Sequence, residues 1–340
     1  MPFEIVRNDI TKMKVGVIVN AANSSLKMGG GVCGAIFTAA GPQLLQAECD
    51  EIGHCEPGQA VITGAYALPS KHIIHTVGPV WNGGSYGEAK ILESCFIESL
   101  ELARKHDLKS IAFPLISSGV YGYPKDEALH IAISAIGSYL LRYDLTVYLV
   151  VYDNKSFVLS EKLFNSVEKY IDDNYIEKHP DRRSNNRNEM IDYSYKESDS
   201  VFHSVTHNKS ALPTSKSKRK LEDVVDALDE TFSLRLLRLI DERDCKDSEV
   251  YRRANIDRRL FSKIRSDEYY QPSKATAIAL AIALKLNRDE TIDLLRTAGY
   301  TLSRSSKSDV IIEYFIKEGI HNLFEINQVL FKYDQPLLGA

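Results

Sequence analysis

An apolar strand that runs into asparagines and then into three consecutive glycines sets the strongest limit on this fold. It lies between Val17 and Gly41, as VIVNAANSSLKMGGGVCGAIFTAAG. Val15 to Val19 reads as a strand. Asn20 and Asn23 follow, then Gly29 to Gly31, then an apolar run from Val32 to Ala40 with helical character. Glycine lets the backbone approach a ligand closely, and a helix N-terminus adds positive partial charge. The arrangement suits a phosphate held by backbone amides. Two familiar phosphate motifs do not fit. A P-loop needs a lysine directly after its glycines, and none follows Gly31. The dinucleotide fingerprint is nominally present as Gly29, Gly31 and Gly34, but its glycines should follow the strand at once. Here Asn20 to Met28 intervenes, and the acids at the right distance, Asp50 and Glu51, fall near the end of a helical stretch. A glycine-rich structural turn is the plain alternative.

Periodicity predicts strands over Val15–Val19, Ala60–Gly64, His72–Val77, Ser110–Pro114 and Thr146–Tyr152, with Phe3–Arg7 as an edge strand. Helices are predicted over Val32–Ala40, Gln43–Glu51, Glu88–His106, Asp126–Arg142 and Ser156–Tyr175. This alternation is an α/β pattern: a mixed sheet between helical layers, three layers in all. The glycine loop leaves the carboxyl end of a strand, where ligands of α/β sheets bind. A second loop, Pro114 to Pro124, leaves the end of a later strand in the same way.

The 340 residues leave room for a second domain. Aliphatic residues thin out after Asp172, and a serine-rich stretch ends in the basic run Lys216 to Lys220. Residues 176–231 therefore read as a flexible linker between residues 1–175 and a separate all-helical region, 232–340. A net charge of −4 implies neither nucleic acid nor membrane by itself. No apolar run reaches membrane length, and the N-terminus starts no signal peptide. Five cysteines form no C-x-x-C pair, which suits reduced thiols and a cytoplasmic location. Cys49, His54, Cys55, His72 and His75 match no zinc template, so neither a metal nor another cofactor is expected.

Six separate stretches carry a resemblance. They are Asn8-Asp9-Ile10-Thr11, Asn20-Ala21-Ala22-Asn23, the GGG-V-x-G-A-I run, Ala39-Ala40-Gly41-Pro42, His75-Thr76-Val77-Gly78-Pro79, and PLISSGVYGYP from Pro114 to Pro124. In this order they resemble the macrodomain family, over roughly residues 1–175. The resemblance implies an ADP-ribose pocket. Asp9 would accept the adenine amino group, with Ile10 beside it, and a carboxylate suits an amine donor. Asn23 would hold the distal ribose, and Asn20 belongs to the same ligand loop, with a structural role bonding loop backbone as its alternative. Gly29, Gly30, Gly31 and Val32 would form one diphosphate loop. Ser117, Ser118, Gly119, Val120 and Tyr121 would form the other, with Tyr121 as an aromatic lid. Such amide nests need no cation. Each residue has a plainer alternative: a turn cap for Asp9 and simple packing for Tyr121.

The family contains hydrolases and binders. The resemblance implies hydrolysis of ADP-ribosyl esters on proteins or of O-acetyl-ADP-ribose, with Asn23, Cys33 and Tyr121 at the reacting end. In the bacterial-type hydrolases that it resembles, the loop reads GGGVDGAIH. Here it reads GGGVCGAIF, so Cys33 and Phe37 replace an Asp and a His. Four roles are open for Cys33. It lines a pocket in which the ligand's own phosphate activates water; it is a thiolate favoured by the helix N-terminus; it marks a non-catalytic reader; or it is an inert buried thiol.

In the C-terminal region, apolar residues recur at three and four in Leu234–Ile240, Ala275–Leu286, Thr291–Ala298 and Val310–Ile316. Glu249 to Ile256 followed by the basic Asp257 to Arg265 resembles a helix-turn-helix of the Cro-type phage repressors. The resemblance implies that Arg258, Arg259, Ser262, Lys263 and Arg265 would be exposed. Residues 232–340 hold 18 basic against 16 acidic residues, a net of +2, so DNA and a protein partner both stay open.

Overall fold

The computed structural model describes residues 3–152, 161–175 and 230–339. The expected linker as far as residue 229, with Lys216 to Lys220, lies outside the described residues. Six strands form one sheet: β1 (Phe3–Arg7), β2 (Val17–Ala22), β3 (Ala60–Gly64), β4 (His72–Val77), β5 (Ser110–Phe113) and β6 (Thr146–Val151). Their order is β1-β6-β5-β2-β4-β3. All neighbours run parallel except β3, which is antiparallel to β4. The sheet is mixed, as its sequence pattern predicts.

Alternation along the strands separates two cores. Val17 and Val19 point into a core with α3 (Glu88–Lys105) and α4 (Lys125–Leu140). Ile18 points the other way, toward α1 (Gly31–Ala40) and α2 (Pro42–Ile52). With helices on both faces, β2 is buried along most of its length, which is why it reads as a continuous apolar run. The same parity puts Asn20, Thr63 and His75 on the α1–α2 side. The strand predicted at Val15–Val19 begins at Val17 instead. Gly16 is held by the starts of β4 and β5: its N–H donates to Ser110 Oγ at 2.8 Å, and its carbonyl accepts from Lys71 and His72. β2 then continues through Asn20 to Ala22, in register with His72 to Val77.

After α5 (Glu161–Asn174), the described chain resumes as seven helices: α6 (Phe232–Glu242), α7 (Asp247–Arg253), α8 (Arg258–Ser266), α9 (Lys274–Ala283), α10 (Arg288–Thr297), α11 (Lys307–Lys317) and α12 (Leu323–Lys332). Side-chain caps begin most of them. Ser273 starts α9, and Asn287 with Glu290 forms a capping box on α10. The helix predicted over Ala275–Leu286 ends at Ala283, because Lys285 takes a left-handed φ of 54°. Every residue of α9 from Thr276 onward is buried, so it forms the centre of the helical region. On α8, Arg258, Arg259, Ser262, Lys263 and Arg265 are exposed while Phe261 and Ile264 are buried.

The expected all-helical region is docked on the sheet region, and the stretches either side of the linker form one compact unit. A break in the sequence pattern marks where one set of elements ends; it does not decide what packs together. Tyr314 of α11 meets Tyr170 of α5 with ring centroids 5.3 Å apart. Phe324 of α12 packs edge-on against Phe3 at 5.4 Å and lies where a Cβ on Gly137 of α4 would sit. Among the described residues, no helix is long and apolar enough to cross a membrane.

Candidate functional site

The carboxyl ends of β1, β2, β4, β5 and β6 surround a cavity of about 760 Å³. Its position follows from topology, since loops leaving parallel strands meet at one edge of the sheet. Asp9, Ile10, Asn23, Gly29 to Cys33 and Ser117 to Tyr121 all line it. The two loops read from sequence thus face a single space. Among the described lining residues Asp9 is the only charged side chain, so an anion there would meet amides and no lysine or arginine.

The first loop ends in a helix start. Gly30 is the N-cap of α1 and supplies no side-chain bond, leaving the first amides of the helix unused by a cap. Gly34 is needed one turn later, because a Cβ there would come within 2.6 Å of the Gly29 carbonyl. Asn23 closes the loop behind. Its Nδ2 donates to the Lys27 carbonyl at 2.8 Å, and its Oδ1 accepts the Lys27 N–H at 3.1 Å. One amide proton and one lone pair remain for a ligand.

The second loop is held from several sides. Ser118 Oγ donates to Leu115 O at 2.8 Å, Tyr123 N–H to Ser117 O at 3.0 Å, and Trp81 N–H to Tyr121 O at 2.9 Å. Ser117 has a left-handed φ of 62°, and its buried hydroxyl has no hydrogen-bond partner among the described residues. A non-glycine residue in that region is a strained position of the kind that collects at binding sites. Gly78, at the end of β4, lies so close that a Cβ on it would overlap Ser117 Oγ. Val120 at the loop tip is 92% exposed.

Asp9 follows β1. Its Oδ1 accepts the Thr11 N–H at 3.0 Å and the Thr11 hydroxyl at 2.7 Å. The hydroxyl bond is the main reason its pKa is lowered, so it is a carboxylate at neutral pH. Oδ1 thus caps a turn, and among the described residues Oδ2 is approached by Lys12 Nζ at 3.9 Å.

Asn20 does not line the cavity. It is fully buried beneath the first loop, because β2 continues through it and parity turns it toward α1. Its Nδ2 lies 3.0 Å from His75 Nδ1 and donates to Cys33 Sγ at 3.6 Å. Burial pushes His75 down to about 4, so the ring is neutral. With Nδ1 accepting from Asn20, the proton sits on Nε2, 2.9 Å from Thr63 Oγ1. Cys33 lines the cavity but is 5% exposed, and its thiol donates to Lys27 O at 3.9 Å. Asn20 stands between this sulfur and His75, so among the described residues no histidine reaches the thiol directly.

The sequence reading did not single out Gly78 as a site residue, nor Asn8 or Tyr152, which also line the cavity. Gly78 was visible in the HTVGP run. Asn8 and Tyr152 could have been found by asking which residues leave the ends of β1 and β6.

The family model described as Macro domain matches residues 19–132. A Macro domain-containing protein of Methanosarcina mazei is 50% identical over 165 residues, 48% of this chain and 88% of that protein. An O-acetyl-ADP-ribose deacetylase of an Enterobacter species is 51% identical over 166 residues, 47% of this chain and 92% of that protein. Among solved structures, the Oceanobacillus iheyensis macrodomain with ADP is 45% identical, covering 49% of this chain and 92% of that one, at a TM-score of 0.45.

Proposed function

The chain belongs to the macrodomain family, and from that premise we propose that its cavity binds ADP-ribose and that the chain hydrolyses an ester on the distal ribose, either of a mono-ADP-ribosylated protein or of O-acetyl-ADP-ribose. The observation that carries this reading is the pairing of two amide-bearing loops, Gly29 to Val32 and Ser117 to Tyr121, across one cavity with no basic side chain in its lining. Backbone N–H groups in such nests bind a diphosphate without a cation. Relatives named as deacetylases, at about half identity, support the choice of reaction.

Asp9 takes the adenine amine on Oδ2, the oxygen that does not bond Thr11, and Ile10 packs beside the base. Asn23 presents its remaining amide proton and lone pair to the distal ribose, while Tyr121 covers it. A water attacks the acyl carbon. The new C–O bond forms, the ester C–O bond breaks, and the ribose oxygen leaves with a proton. A phosphate oxygen of the ligand takes the proton from the water, because Cys33 is hydrogen-bonded to Asn20 and Lys27 and faces no base among the described residues. The same engagement of Cys33 favours a second reading, in which the chain recognises ADP-ribose without turning it over and the helical region binds DNA or a protein.

The test incubates the full chain with glutamate-linked mono-ADP-ribosylated protein and, separately, with O-acetyl-ADP-ribose. Release of ADP-ribose supports the hydrolase, and Asn23→Ala should remove it. Wild-type release by that variant would overturn the role of Asn23. Tight binding with no release selects the reader.

A further inference from the structure

Strand β1 is an edge strand in the sheet, yet its open side is not bare. Phe3 donates its N–H to Asn255 Oδ1 at 3.0 Å, and its carbonyl accepts from Asn255 Nδ2 at 2.8 Å. One side-chain amide supplies the donor and acceptor that a further strand would supply. Asn255 is 1% exposed and sits in the turn between α7 and α8 with a left-handed φ of 54°, which asparagine tolerates better than most residues. At the other end of β1, Arg7 pairs with Asp334 at 2.7 Å and lies 4.8 Å over the Phe331 ring. Both ends of the strand are therefore gripped by the helical region. Directly beyond Arg7 come Asn8 and Asp9, which line the cavity. Asn8 N–H donates to Val151 O at 3.3 Å, and Asn8 Oδ1 accepts the Asp9 N–H at 2.8 Å.

We infer that the helical region positions the Asp9 end of the cavity, with Asn255, Arg7 and Asp334 as positioning residues for recognition of the adenine ring. This rests on the reading of Asp9 as the acceptor for the adenine amine. The relatives compared above align over 47–48% of this chain and 88–92% of their own length. That leaves little of them to supply a counterpart of residues 230–339, so the clamp is a feature of this chain. The direction of the effect follows from geometry. A strand held at Phe3 and Arg7 delivers Asp9 to a fixed place, and a small displacement of a carboxylate acceptor weakens a directional bond. By reciprocity, ADP-ribose should stabilise the helical region as well as the sheet.

The experiment uses the full chain and two ligands. They are ADP-ribose and its inosine analogue, in which a carbonyl replaces the 6-amino donor. The preference between them reads the Asp9 contact, which a loss of general stability would not change. Asn255→Asp keeps size and turn conformation but sets a carboxylate oxygen against the Phe3 carbonyl. Asp334→Ala releases the other end without touching the core, since its side chain is 64% exposed. Each variant should bind ADP-ribose about fivefold more weakly and prefer it less over the inosine analogue. Asp334→Glu, which keeps a carboxylate for Arg7, should hold both values near wild type. Lower melting temperatures with unchanged affinity and preference would overturn the inference. If Asn255→Asp does not fold, Asp334→Ala and Asp334→Glu decide. A wild-type chain that binds both ligands equally refutes the Asp9 reading and this inference with it, whereas a wild-type preference left unchanged in the variants refutes the inference alone. A wild-type chain that binds neither removes the ligand reading and this inference with it.

Discussion

At the residue scale, Asp9 and Asn23 each combine local closure with unused bonding capacity. Asp9 caps a turn and Asn23 ties its own loop to Lys27, so truncating either perturbs structure as well as ligand contact. Gly119 allows a cleaner test. A Cβ there meets nothing within 4 Å, and its backbone is not left-handed. Gly119→Glu should therefore leave the melting temperature unchanged while placing a carboxylate in the diphosphate site. Calorimetry should show ADP-ribose affinity falling by about 100-fold or more, the scale of like charges held close; affinity near wild type would refute the placement of the second loop. His75 offers a different measurement. Its folded pKa is pushed down to about 4 from 6.5 by burial. The unfolded chain then binds a proton where the folded chain does not. The stability involved is intact above pH 6.5 and is lost as pH falls toward 4, by roughly 3 kcal/mol at most. His75→Gln cannot titrate, so its urea midpoint should fall less than wild type's between about pH 7 and about pH 5. Equal decreases would show that His75 does not govern the acid response.

At the element scale, close approach between loops matters more than any one hydrogen bond. Gly78→Ala should push Ser117 and Ile116 away from the end of β4, cost roughly 1–3 kcal/mol in denaturant unfolding, and weaken ADP-ribose binding. A variant of wild-type stability would mean that the second loop shifts freely. Much at this scale was legible in the chain. Strand alternation, the two loops and the helices up to α5 are written in apolar spacing and in glycines. Less legible was what long-range pairing decides. Asn20 looks like a loop residue beside Asn23 until the register of β2 against β4 turns it inward. The bond from Asn23 to Lys27 has no sequence signature, because any backbone four residues on can supply it. α12 was hidden within a generally helical stretch. Asn322 caps it, and Leu323, Ile326 and Leu330 give it a buried face.

At the scale of the whole molecule, the helices and the sheet share buried surface through Phe3, Phe324, Tyr170 and Tyr314. Shared burial predicts shared unfolding. The chain's one tryptophan, Trp81, lies in the sheet region against Tyr123, whereas α6 to α12 contribute much of the helical signal. Trp81 fluorescence and far-ultraviolet dichroism should therefore report one denaturant midpoint. Two separated midpoints would show that the helical region melts independently. Asn255 also has a protective consequence. A strand rim whose polar groups are unsatisfied is a template for another copy of itself. Chains that lose the helices through cleavage would bare that rim beside Phe3 and Ile5, and they should stack through it and drop out of solution.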